Sequence, residues 1–132
     1  IVTDLRERKP MRIAVAADAG GGLDGPICPH FGKAREFILV DCTDGAIERW
    51  RSVENPFADG HRHGEIPLFL HEAGVHSVLS GGMGAGAITM FQRLGMTPVT
   101  GAHGSVQHSV ELYLSGALGA AAPCADSVAH RH

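Results

Sequence analysis

Histidine and glycine are the residues through which this chain could do chemistry: nine His and 18 Gly occur among its 132 residues. Cys28, Pro29 and His30 bring a thiol and an imidazole within two positions. A thiolate is a soft ligand for iron, copper or an iron-sulfur cluster, and a neighbouring imidazole can share the coordination. His61 and His63 are two residues apart in a polar loop, where a turn brings side chains together that an extended backbone sends to opposite sides. His103 lies between Gly101 and Gly104. His30, Cys28, His61, His63 and His103 are therefore the candidate metal ligands, with His108 as a further imidazole. Imidazole suits zinc, copper, iron and nickel, but a site needs three or four ligands, and spacing alone does not assemble them. The run Gly81-Gly82-Met83-Gly84 offers backbone N–H groups at a strand-to-helix turn, an arrangement that suits an anion. The same glycines would equally serve a tight turn.

Five short strands and three helices would position these groups. Arg12–Ala17 is an apolar run rich in Ile and Val, closed by the glycine-rich stretch after Asp18, and reads as a buried strand. Glu36–Asp41 is a second strand. Asp44-Gly45 turns it into a third over Ala46–Val53, whose imperfect alternation marks an edge. A helix over Glu65–Ala73, with Gly74 as its stop, precedes a strand over Val75–Leu79. A helix over Ala85–Leu94, a strand over Thr97–Thr100 and a helix over Ser105–Ser115 follow. Strand, glycine turn and helix thus occur twice in succession, which calls for parallel strands, whereas the hairpin calls for an antiparallel portion. The expected fold is α/β, a mixed five-stranded sheet flanked by helices. His30, His103, Gly82, Gly84 and Gly104 then fall in loops at the C-terminal ends of strands, where open α/β sheets bind ligands. Residues 1–10 read as an N-terminal extension, 11–120 as one domain and 121–132 as a C-terminal tail.

Composition narrows the function. Eleven Lys plus Arg against 14 Asp plus Glu give a net charge of -3, no footprint for nucleic acid. No apolar run approaches the roughly 18–20 residues of a membrane span, and the charged opening is not a signal peptide, so a soluble cytoplasmic protein is expected. Three widely spaced cysteines do not make a disulfide framework. The only lysines, Lys9 and Lys33, follow no glycine loop, which removes nucleotide hydrolysis. Ser80 and Ser105 lack a nucleophile elbow. Asp18, Asp41 and Asp59 sit in turn-like contexts that favour solvation over a nuclease metal site. His71 and His76, beside a helix end and a strand start, read as structural.

The order of these pieces resembles the dinitrogenase iron-molybdenum cofactor biosynthesis family, in its NifX-like stand-alone form. Met11–Ala16 resembles the family's opening strand, His30-Phe31-Gly32-Lys33-Ala34 its His-Phe-Gly motif, and Phe37–Asp41 its second strand. Gly81–Gly84 and Gly101–Gly104 resemble its glycine turns, and Tyr113–Leu118 its closing Tyr-Leu-x-Gly-x-Leu. The resemblance spans Met11 to Leu118. It implies ribonuclease H-like topology and a non-enzymatic carrier of an iron-sulfur or iron-molybdenum type cluster, working with a cofactor-assembly or recipient apo-protein. On that reading His30, Cys28, Gly32, His103, Gly82, Gly84 and Gly104 contact the cluster, and His61 and His63 border it. Cys28 departs from the small polar residue more familiar at its position in the family. The alternative is a small hydrolase with one zinc or iron held by His61, His63 and His103 and a water in the open position.

Overall fold

The computed structural model describes residues 10–18, 20–57 and 64–119. Five strands, β1 (Met11–Ala17), β2 (Glu36–Thr43), β3 (Ala46–Glu54), β4 (Ser77–Leu79) and β5 (Thr97–Val99), form one mixed sheet in the order β3-β2-β1-β4-β5. β1, β2 and β3 are antiparallel neighbours, while β4 and β5 run parallel to β1. The helices are α1 (Glu65–Glu72), α2 (Ala85–Arg93) and α3 (Val106–Leu114). The expected mixed α/β architecture is observed, with β3 at the sheet edge. Two differences are local. β2 and β3 each run one or two residues further than their apolar runs, through a bulge at Asp41/Cys42 that tightens the hairpin. β4 starts at Ser77, because Val75 first closes the end of α1 by donating to the Leu70 carbonyl.

Alternation along the strands makes two cores. On one face Ala14, Ala16, Phe37, Leu39 and Val78 pack with Ile66 and Leu70 of α1 and Ile88 and Phe91 of α2. On the other, Ile13, Val15, Ile38, Val40, Leu79 and Val99 pack with Val106 and Val110 of α3. β1 is buried on both faces because it lies in the middle of the sheet. Such a strand must read as a continuous apolar run rather than an alternating one. Pro98 lies within β5, a position open to proline because β5 is the other edge and needs no ladder donor on its free side. Buried Ser77 is satisfied by the Tyr113 hydroxyl at 2.9 Å, which ties β4 to α3.

At the end of the sheet remote from the glycine loops, Asp41 binds two arginines. Arg12 Nε donates to Oδ1 at 2.7 Å, and Arg49 Nε donates to Oδ2 at 3.2 Å. Arg12 also donates to the Ala73 carbonyl at 2.7 Å, which pins the end of α1 against β1. The hydrogen bond from Arg12, reinforced by the charges of both arginines and opposed by partial burial, holds the Asp41 carboxyl below its usual range. Its folded pKa is depressed, so the stabilisation is present above the unfolded value of about 3.9 and is lost as pH falls through the folded one. Asp41→Asn should therefore cost about 1 kcal/mol at pH 7. Urea unfolding at stepped pH should show the gap to wild type closing in acid. A gap that stays constant down to pH 2 would refute the linkage.

Candidate functional site

Three loops leave the C-terminal ends of β1, β4 and β5, and backbone hydrogen bonds fasten them together. Cys28 N–H donates to Ala16 O at 2.9 Å, which extends β1 into the first loop. Gly81 N–H donates to Cys28 O at 3.1 Å, and Phe31 N–H to Gly82 O at 2.9 Å, joining the first loop to the second. Gly101 N–H donates to Gly81 O, and Ile27 N–H to Gly104 O, both at 3.1 Å, bringing in the third. Fully buried Ser80 completes the junction, its hydroxyl donating to Gly82 O at 2.9 Å. Loops normally present their polar backbone to water; here the loops satisfy one another, so the glycine turns form a rigid platform.

The glycine at position 81 is required by approach. A Cβ there would stand 2.8 Å from Pro29 Cα and 3.3 Å from Cys28 O, so only glycine lets the β4 loop lie against the Cys28–His30 segment. Gly104 adopts a φ of 75°, in the left-handed region that favours glycine.

Within the first loop, His30 is exposed and caps a short 3-10 turn over Phe31–Lys33. Phe31 is its anchor, packing edge-on to Phe91 at 5.2 Å and tilted against Phe37 at 5.8 Å. The motif thus puts an apolar ring into the core and the adjacent imidazole into solvent. Cys28 is 3% exposed, and its thiol donates to the His30 carbonyl at 3.1 Å. Burial pushes that thiol up from its ordinary range, against a smaller lowering influence of the His30 backbone. In this arrangement Cys28 holds the loop as a neutral thiol. Binding metal as a thiolate would require that hydrogen bond to open.

Beside the turn lies a recess of about 300 Å³ lined by Phe31 and Gly32, by Gly64 and Ile66, and by Gly84 and Gly86. Gly64 and Gly84 are the N-caps of α1 and α2, so both helices begin at this recess. Neither start has a side-chain cap. The first backbone N–H groups of a helix have no intrahelical acceptor and carry its positive end, which favours an anion. None of the recess-lining side chains is charged.

The structure therefore divides the predicted residues. Gly32 and Gly84 share the recess, with His30 next to Phe31 in the chain and Gly82 bonded to the Phe31 backbone. His103 and Gly104 lie in the loop entering α3 and do not line the recess. His61 and His63 lie outside the described residues, although Gly64, which follows His63 in sequence, lines the recess. Among the described residues no three His, Cys, Asp or Glu side chains come together to hold a metal ion. Sequence reasoning missed Gly64 as a site-forming residue, and it named Gly81 and Phe31 only as parts of the glycine turn and the His-Phe-Gly motif, without the close approach and the core anchor they provide. A glycine just after the strand and an aromatic next to the exposed histidine were the available signals. No described helix is long and apolar enough to cross a membrane.

Comparison with known proteins places this geometry. The protein PH0822, known from a crystal structure, is 32% identical and superposes with a TM-score of 0.74, covering 84% of this chain and 96% of its own. The apo form of the orange protein from Desulfovibrio gigas is 29% identical with a TM-score of 0.75, covering 86% and 94%. The uncharacterised protein MJ0580 of Methanocaldococcus jannaschii is 27% identical over 119 residues, 89% of this chain and 97% of that protein. The profile of one family, described as dinitrogenase iron-molybdenum cofactor, matches residues 11–116, a span that holds all five strands, all three helices and the three fastened loops. The chain belongs to the dinitrogenase iron-molybdenum cofactor family, which sets it in the context of that cofactor's assembly or binding.

Proposed function

We propose that the protein binds and carries an anionic iron-sulfur or molybdenum/iron-sulfur cluster during metallocofactor assembly, without catalysing a reaction. The observation that carries this reading is the recess between Phe31–Gly32 and the uncapped starts of α1 and α2. Its volume, about 300 Å³, is at the lower end of small-molecule sites, and two helix N-termini meet its occupant with positive partial charge. On this reading His30, which precedes Phe31 in the chain, supplies an exposed imidazole, Gly32 and Gly84 line the recess with backbone, and Gly82 is bonded to the Phe31 backbone beside it. Cys28, His103 and Gly104 support or screen the site from the fastened loops, and His61 and His63 belong to the segment leading into Gly64. A carrier must release its cargo, which a site of few ligands does more readily than a closed four-thiolate cage. The delivery partner is a cofactor-assembly or recipient apo-protein, and the compartment is the cytoplasm. The strand order β3-β2-β1-β4-β5, antiparallel then parallel, supports a ribonuclease H-like assignment of the topology. No observation favours the hydrolase with a mononuclear zinc or iron.

Anaerobic titration with an iron-sulfur or molybdenum-sulfur cluster, read by absorbance and metal counting, tests the proposal. Wild type should bind stoichiometrically, and His30→Ala should weaken binding by at least about tenfold, the scale on which a lost metal-site interaction is felt. Cys28→Ala should weaken it less, because its thiol is buried and hydrogen-bonded. Failure of wild type to retain iron or molybdenum would overturn the carrier function.

A further inference from the structure

On the side of the glycine platform that enters α3, two imidazoles stand together. His103 and His108 are both exposed, with ring centroids 5.4 Å apart and planes at 69°. The Nδ1 of His103 lies 3.1 Å from the Gly101 carbonyl oxygen. A carbonyl only accepts, so Nδ1 carries the proton and the lone pair is on Nε2, at the far side of the ring. A backbone carbonyl on one ring nitrogen is the arrangement that orients metal-binding histidines.

Both backbones are fixed by buried or capping serines. Ser109 is fully buried; its hydroxyl accepts from His103 N–H at 3.0 Å and donates to His103 O at 2.7 Å. Ser105 caps α3, its hydroxyl accepting from His108 N–H at 3.0 Å. A Cβ on Gly104 would stand 3.2 Å from His108 Cδ2, so glycine at that position leaves space for the His108 ring. Two side chains are thus delivered to one surface region by fixed backbone, with the His103 ring further oriented by the Gly101 carbonyl.

We infer that His103 and His108 form a two-imidazole chelate for one borderline divalent cation of the zinc or nickel class, with its remaining positions open to water or to a ligand from outside the chain. Neutral imidazole is a preferred donor for these ions. Rotation of an exposed side chain takes picoseconds to nanoseconds, so the His108 ring can turn toward an ion on His103 Nε2 faster than any backbone rearrangement. The chelate uses none of the recess-lining residues and does not rest on cluster carriage.

The test uses the full cluster-free chain labelled with nitrogen-15 and substoichiometric nickel chloride. Paramagnetic broadening should remove the amide signals of residues 102–109 first. His103→Ala and His108→Ala should each weaken nickel binding by at least about tenfold while leaving the rest of the amide spectrum in place. A combined His61→Ala and His63→Ala variant should bind nickel at residues 102–109 as wild type does. Broadening centred on other histidines, or nickel binding at residues 102–109 that survives both single alanine variants, would overturn the chelate. Because no cluster is added, either result leaves the carrier proposal to its own experiment.

Discussion

Replacing Phe31 with alanine is expected to cost about 3–5 kcal/mol, the range for deleting a buried aromatic ring. Phe31 is 4% exposed and stands between Phe37 of β2 and Phe91 of α2. Its removal opens a cavity among groups held by the sheet on one side and α2 on the other, so the space cannot collapse cheaply. Domains of this size are stable by about 5–15 kcal/mol, so the loss is a large share of the total. The melting temperature should fall by about 10–20 °C. Leu68→Ala provides the contrast: Leu68 is 49% exposed, and its removal should change stability by no more than about 0.5 kcal/mol. Thermal and urea melts decide the matter, and a Phe31→Ala loss under about 1 kcal/mol would contradict the packing described. The variant also separates folding from function, because His30 immediately precedes the turn that Phe31 anchors, and Phe31 and Gly32 of that turn line the recess. At a temperature where the variant is still folded, its cluster binding should fall with that of His30→Ala.

Gly81→Ala should have the second largest effect, about 1–3 kcal/mol, through crowding. The new methyl group would meet Pro29 Cα at 2.8 Å and Pro29 O at 3.2 Å, both backbone atoms that no rotamer change can move. Relief requires the first and second loops to part, and the bonds from Gly81 N–H to Cys28 O and from Phe31 N–H to Gly82 O lie at that junction. Hydrogen exchange at the Gly81 and Phe31 amides should accelerate more than exchange in β2, whose ladder is remote from the clash. Gly119→Ala, where a methyl group meets nothing within 4 Å, should be close to neutral. Equal stability of the two alanine variants would show that the loops are not closely apposed. Together the Phe31 and Gly81 substitutions test whether the platform is as rigid as its hydrogen bonds require.

Much of the scaffold could be read from local pattern. The apolar run Arg12–Ala17 is uninterrupted because β1 is covered on both faces, and the Asp44-Gly45 dipeptide marked the hairpin that sets β2 against β3. The glycines at 74 and 95 stop α1 and α2 because a left-handed φ costs glycine little. The ordered motifs, above all His30-Phe31-Gly32, pointed to the family that the match over residues 11–116 bears out.

What surrounds each candidate ligand was not legible in the same way. Cys28 looks like a ligand in sequence because a thiol and an imidazole are two residues apart. In the fold its sulfur turns inward to the His30 carbonyl, since the segment must continue β1 and bury that side chain. His103 and His108, five residues apart, meet because Ser105 and Ser109 fix the turn into α3 between them. The recess depends on Gly64 and Gly84 starting two helices at one point, although 20 residues separate them. Sequence by itself determined the elements, their order and the family, because these follow from short-range periodicity, turn chemistry and motif order. Only the tertiary structure decided which loops are fastened and which thiol is buried, because those depend on contacts between segments far apart along the chain, and which imidazoles share a surface, because that depends on how the serines of the packed turn fix its backbone.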